Sequence, residues 1–171
     1  RYEYFSGEII AKDGESCEHG DIRLNLGSAV RSRLKGSKCR ASTSDVRIAI
    51  SSVGGYTYPD LAITCEGRTF DSPKRRAITN PRVIFEVLSP STESADRGAK
   101  FAKYRTIDSL QEYVLVSQYE YAIDVYRRNA ENRWTLFEYR GPDAILDLAS
   151  VGITIPFAEI YDDVDFSLAE R

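Results

Sequence analysis

The sequence has no methionine, a single histidine (His19), a single tryptophan (Trp134) and only three cysteines in 171 residues. Lacking a Met at its start, the chain is read as trimmed at its ends. Cys17, Cys39 and Cys65 are far apart, odd in number and without the paired spacing of zinc ligands. They are expected as small buried or half-buried thiols in a reducing compartment, with neither a metal nor a disulfide role. No apolar run approaches the ~20 residues that span a bilayer, and no signal-peptide pattern opens the chain. A cytoplasmic protein with no membrane partner is the expectation. Positive charge is not in excess either: 26 acidic against 23 basic residues give a net charge of −3. That excludes a general electrostatic grip on nucleic acid, so contact with DNA has to use local basic patches. The stretches from Arg31 to Arg40 and Lys74-Arg75-Arg76 are the candidates, although such stretches are commonly plain solvated surface.

Internal repeats, linkers and low-complexity segments are also missing, so residues 1–171 read as one domain. Hydrophobic residues at 42% and charged residues at 29% suit a globular α/β chain with an ordinary core. Tyr2 to Ile10 alternates loosely and predicts a strand or hairpin arm. Asp13 to Ser16 offers helix-start chemistry, and Ile22, Leu26, Ala29, Val30 and Leu34 keep helical spacing, which predicts a helix from Glu15 to about Leu34. Val46, Ile48 and Ile50 alternate as a strand before the Gly54-Gly55 turn. Tyr58 to Thr64 predicts another, with Pro59 at its start because proline cannot donate to a ladder. A polar loop over 66–80 leads to Val83-Ile84-Phe85-Glu86-Val87-Leu88, the near-continuous apolar pattern of a strand buried on both faces. Thr92 or Ser94 can cap a helix running to about Arg105. Strands follow over 112–116, 122–128, 133–139 and 153–155, the middle two as a hairpin, with a turn of helix at 157–161.

Glu86 breaks this pattern. A carboxylate inside an apolar strand is costly unless it is paired, hydrogen-bonded or bound to a cation. One reading is a structural ion pair. The other draws on Asp60, a second acid just after a proline on a neighbouring strand. Two such carboxylates can converge on one hard cation, which polarises a phosphodiester and supplies hydroxide from bound water. Asp96, Lys100 and Tyr104 recur every four residues and share a helix face. As a plain Asp–Lys pair they would be a surface salt bridge worth a few tenths of a kcal/mol. Because their helix directly follows the Glu86 strand, a lysine there can also lean over the acid pair and stabilise charge on phosphate. No Ser–His–Asp or Cys–His arrangement is visible, so no covalent intermediate is expected.

Tyr-Pro-Asp60, Glu86-Val-Leu-Ser-Pro-Ser-Thr, Asp96-Arg-Gly-Ala-Lys100-Phe-Ala-Lys-Tyr104 and Gln111-Glu-Tyr-Val-Leu-Val116 together resemble the Uma2 family of restriction endonucleases. That family is abundant in cyanobacteria and falls in the PD-(D/E)XK nuclease superfamily. The resemblance runs from His19 to Glu159-Ile-Tyr161. It implies an α/β fold, a restriction-endonuclease-like mixed β-sheet flanked by helices, with additional antiparallel strands towards the C-terminus. It places the Pro-Asp half of the motif on Pro59-Asp60 and the second acid on Glu86. Where the superfamily has lysine, two residues after Glu86, this chain has Leu88. The resemblance moves the lysine into the following helix, to Lys100, with Lys103 the competitor.

The implied function is endonucleolytic cleavage of DNA, with Asp60, Glu86 and the Val87 main-chain carbonyl holding Mg²⁺ or Mn²⁺ and Lys100 positioning water. A nuclease-fold module that has lost catalysis and only binds DNA or protein is the alternative, favoured by Leu88. His19, beside Glu18, is either a solvent-facing helix residue or an addition to the site, and Asp96 is a further candidate. Asp45 faces the site or serves a turn. Tyr104 and Tyr113 are read as core or rim aromatics, and Trp134 as packing. A homodimer fits a substrate with two strands.

Overall fold

The computed structural model describes residues 2–11, 14–74 and 76–168. Strands β1 (Tyr2–Phe5) and β2 (Glu8–Ala11) form the expected hairpin. Helix α1 (Cys17–Leu34) follows, capped by Ser16, whose Oγ accepts the His19 N–H at 3.1 Å. Asp13, also expected at this helix start, and Arg75 of the second basic stretch lie outside the described residues. Next come β3 (Cys39–Thr43), β4 (Arg47–Ile50), β5 (Gly55–Thr57), β6 (Leu61–Cys65), β7 (Ala77–Ile78) and β8 (Pro81–Val87). Helices α2 (Glu93–Arg97) and α3 (Ala99–Tyr104) lead to β9 (Glu112–Val116), β10 (Ala122–Arg128) and β11 (Trp134–Arg140). Strands β12 (Ile145–Leu148) and β13 (Ile153–Pro156), then α4 (Phe157–Ile160), close the fold.

The central sheet has the order β11-β10-β9-β8-β6-β3 and is mixed, because β8 and β9 are parallel while the other pairs are antiparallel. A second sheet, β2-β1-β5-β4-β7, packs on one side, and β12-β13 form a separate ribbon. Alternation along β6 and β8 sends Leu61, Ile63, Val83, Phe85 and Val87 towards Ile22, Leu26 and Val30 of α1. Ala62, Ile84 and Leu88 face the other way, into a cluster with Ile48 and Ile50 of the second sheet and Phe101 and Tyr104 of α3. Strand β8 is therefore buried on both faces, as its composition predicts, and each large apolar side chain there contributes roughly 1.5–3 kcal/mol. No helix among the described residues is long and apolar enough to cross a membrane.

Four expectations need correction. The helix expected from Thr92 to Arg105 is two, broken at Gly98 (φ −111°, ψ −97°), where a Cβ would stand 3.2 Å from the Ser94 carbonyl. Asp60 precedes β6 instead of lying within a strand, because Tyr58-Pro59-Asp60 links β5 to β6 across two sheets. The cysteines are not all thiols: Cys39 and Cys65 face each other in the β3–β6 register and form a disulfide, while Cys17 is an exposed thiol. Spacing along the chain could not show that residues 26 apart become cross-strand neighbours. Finally, β7 is a strand where loop was expected, and β3 and β12 are strands in segments given no element; Cys39 and Arg40 of the basic stretch belong to β3.

Candidate active site

Asp60 sits where the β6–β8 pairing runs out. The antiparallel register matches Leu61 with Phe85, so the next residues outwards are Asp60 on one strand and Glu86 on the other. Pro59 has no N–H to prolong the ladder, and the Asp60 carboxylate takes over: its Oδ2 accepts the Val87 N–H at 2.8 Å. His19, one turn into α1, brings Nε2 to 3.1 Å from the Val87 carbonyl oxygen and 3.4 Å from Asp60 Oδ2. Both neighbours are acceptors, so Nε2 carries the proton; Nδ1 is buried with no hydrogen-bond partner among the described residues. Burial lowers the basicity of His19, but the hydrogen bond and charge of Asp60 outweigh it and the pKa is raised above 6.5. Arg23, one turn further along α1, holds Nη1 3.7 Å from Asp60 Oδ1.

Glu86 points to the opposite face of the central sheet. Its Oε1 lies 2.7 Å from Lys100 Nζ and accepts the Tyr104 hydroxyl at 2.9 Å. The same ammonium lies 3.2 Å from Asp96 Oδ1 and 3.6 Å from Glu3 Oε1. Asp96 in α2 and Lys100 in α3 thus meet across the break at Gly98 instead of sharing one helix face, and the pair is buried instead of superficial. Burial works against the charged lysine, yet the carboxylates of Glu86, Asp96 and Glu3 raise its pKa well above the ordinary lysine value. The Lys103 ammonium stands over the Phe5 ring, 3.6 Å from the centroid. Leu88 is buried in the same cluster as Tyr104. Asp45 lies in an exposed turn between β3 and β4. Trp134 packs edge-on against Phe101, as expected of it.

The two halves meet at Val87, whose N–H is held by Asp60 and whose carbonyl is touched by His19. Asp60 on the α1 side and Glu86 on the other flank the Val87 peptide; carboxylates and a main-chain carbonyl are the donor types that Mg²⁺ or Mn²⁺ accepts alongside several waters. Among the described residues, no three His, Cys, Asp or Glu side chains gather as a metal cluster. A cation here would rest on few protein ligands, and the donor chemistry fits such a water-rich ion.

A family model described as "Putative restriction endonuclease", Uma2, matches residues 1–158. The chain belongs to the Uma2 family. Two relatives come from Synechocystis sp. (strain PCC 6803). The uncharacterized protein slr1290 is 38% identical over 97% of this chain and 86% of its own length. The uncharacterized protein sll1609 is 34% identical over 88% of this chain and 85% of its own. Among solved structures, "a putative nuclease belonging to DUF820" from Anabaena variabilis superposes with a TM-score of 0.76 at 20% identity, covering 97% of this chain and 89% of that one. The restriction-endonuclease-like mixed α/β fold expected of the family is the fold observed, helices flanking mixed sheets.

Sequence reasoning missed Glu3, Thr57, Arg23 and the hydroxyl role of Tyr104. Glu3 was detectable: in Tyr-Glu-Tyr-Phe it shares the buried parity of Phe5, where an acid is out of place. The Thr57 hydroxyl donates to Glu3 at 2.7 Å and the Tyr58 N–H at 3.2 Å. Tyr104 is core, as expected, but its buried hydroxyl also serves Glu86; burial and the Glu86 charge raise its pKa well above 10, so it stays a donor.

Proposed function

We propose that this chain is a metal-dependent endonuclease that hydrolyses phosphodiester bonds in DNA. The carrying observation is the Val87 peptide: Asp60 fixes its N–H, Glu86 precedes it, and its carbonyl is left to the His19 side. In this reading Asp60, Glu86 and the Val87 carbonyl hold Mg²⁺ or Mn²⁺, which supplies charge stabilisation and an acidified water. Lys100 orients Glu86 and stabilises charge developing on the phosphate. Asp96 and Tyr104 hold Lys100 and Glu86 in place, while Lys103 lies over the Phe5 ring. His19 orients Asp60 and Val87 from α1. Each centre cuts one strand, so the working form is a homodimer acting on duplex DNA.

The test is incubation with supercoiled plasmid and Mg²⁺ or Mn²⁺, beside Asp60→Asn and Glu86→Gln. Cleavage by the wild type alone is expected, and equal cleavage by all three sinks the assignment. Linear product without a prior nicked form supports the paired state. Leu88 favours a second reading, a module that has lost catalysis. Calorimetric titration with Mn²⁺ separates the two, because only the nuclease reading requires a cation bound in the millimolar range or tighter.

A further inference from the structure

A basic cleft of about 600 Å³ lies at the C-terminal end of α1, against the edge strand β3 and the loop after β6. Arg31, Lys35, Arg40 and Arg68 line it together with Ser28 and Ser32, and no Asp or Glu is among its lining residues. Four cations on one concave surface run against the net charge of −3, so this is a local field that the average composition hides.

The cleft is built by helix periodicity. Ser28, Arg31, Ser32 and Lys35 fall on one exposed face of α1 or just beyond its end, opposite the buried Ile22-Leu26-Val30 face. Arg33, turned away, is already taken up by Glu159 at 2.6 Å. From the other wall, Arg68 is fixed by Nη2 bonds to the Ala41 carbonyl at 3.1 Å and the Ser42 hydroxyl at 3.0 Å. Its guanidinium is thereby held facing like charge: burial and then Arg40 lower its pKa. An anion seated between them relieves that repulsion.

Position supplies the second argument. Arg23, Gly27, Arg31 and Lys35 recur every four residues, a stripe that begins at Arg23, 3.7 Å from Asp60, and ends in the cleft. From His19 to Arg31 the helix climbs about 18 Å at 1.5 Å per residue. Duplex DNA covers that distance in about five base pairs at 3.4 Å each.

We infer that this cleft is a second, non-catalytic contact for the phosphate backbone of duplex DNA, about half a helical turn from the Asp60–Glu86 centre. The inference rests on the DNA reading proposed above and adds a place on the surface to it. The contact carries no sequence information; it sets the direction in which the duplex lies along α1.

The experiment measures binding of a fluorescein-labelled duplex by anisotropy in EDTA, from 50 to 300 mM salt. It compares the wild type, the triple variant Arg31→Ala/Lys35→Ala/Arg40→Ala, and Lys38→Ala, which removes an exposed lysine paired with Glu66 outside the cleft. Each phosphate contact contributes about 0.9 to the slope of log K against log [salt], so losing three flattens it by ~2.7. Lys38→Ala is expected to match the wild type. Thermal unfolding of the triple variant, altered only at exposed positions, is expected to be unchanged. An unchanged slope with binding retained overturns the cleft while leaving the nuclease reading intact. Loss of binding in the triple variant, together with a wild type that never cleaves plasmid, supports the cleft and overturns the nuclease reading. A wild type that does not bind duplex overturns the cleft.

Discussion

Replacing Lys100 by Met keeps most of the aliphatic stem and removes only the ammonium. That ammonium lies 2.7 Å from Glu86, 3.2 Å from Asp96 and 3.6 Å from Glu3, all four residues being buried. Removing one partner of a buried pair typically costs about 3–5 kcal/mol, because the remaining charge is stranded out of water. Here three carboxylates lose a shared cation, which places the expectation at the upper end of that range. For a chain of this size, ~2–4 °C of melting temperature goes with each kcal/mol, so a loss of roughly 10–15 °C is expected. Glu86→Gln is the contrast: Lys100 keeps Asp96 and Glu3, Tyr104 keeps an acceptor, and the cost falls to ~1–2 kcal/mol. The double variant should cost less than the sum of the two, since each removes half of the same interaction. Urea unfolding at pH 7.5 of the four proteins measures all of this in one cycle. A Lys100→Met loss below about 1 kcal/mol, or strict additivity in the double variant, would refute the idea that Lys100 is the electrostatic hub of this cluster. Because the folded pKa of Lys100 is raised, its contribution is complete below about 10.5 and is lost only as pH rises through the higher folded value. The cost should therefore be flat from pH 6.5 to 9.

His19 gives the opposite behaviour in the neutral range. Its pKa is raised in the folded protein, so the stability from its charged form is complete below about 6.5 and disappears as pH climbs through the folded value. The stability gap between wild type and His19→Gln should be wider at pH 6 than at pH 8.5 in metal-free buffer, and a gap that widens with pH contradicts the Asp60 pairing. Reducing Cys39–Cys65 reopens a loop of 26 residues, worth about 3.5 kcal/mol on chain entropy alone; unfolding with and without dithiothreitol reads the difference, and no shift in the midpoint would count against the bridge. Leu88→Lys combined with Lys100→Met moves the cation to the superfamily position, and plasmid cleavage above that of Lys100→Met alone is expected; cleavage equal to the single variant in a folded double variant counts against a role for lysine at Glu86.

The parts of the fold legible in the sequence are those where local pattern and burial agree. Val83 to Leu88 could only be a strand buried on both faces, and the periodicity from Ile22 to Leu34 could only be a helix with one buried stripe. Glu86 stood out for the same reason, as a charge inside a pattern that excludes charge. What stayed hidden depends on long-range pairing. Cys39 and Cys65 meet only because β3 lies along β6, and nothing local in Cys39-Arg-Ala-Ser-Thr43 announces a strand. Gly98 was read as one residue in a helix, although its neighbours Asp96 and Lys100 reach the same cluster with the chain broken between them. Glu3 joins the cluster from 83 positions upstream of Glu86, through a sheet whose order no local pattern encodes.

The placement of Lys100 also accounts for Leu88. Residues two apart on a strand share a face, so a lysine at 88 would project towards the cluster that Glu86 enters. In this chain that space is occupied from the other side: α3 lays Phe101 and Tyr104 against Ile84 and Leu88, and the same helix delivers the Lys100 ammonium to Glu86. A lysine at both positions would set two cations in one buried pocket, where like charges repel and desolvation penalises each. Once α3 provides the cation, an apolar side chain at 88 is the residue that closes the core behind it. An apolar residue at 88 is thus compatible with a cation beside Glu86, because the ammonium 2.7 Å from that carboxylate comes from α3.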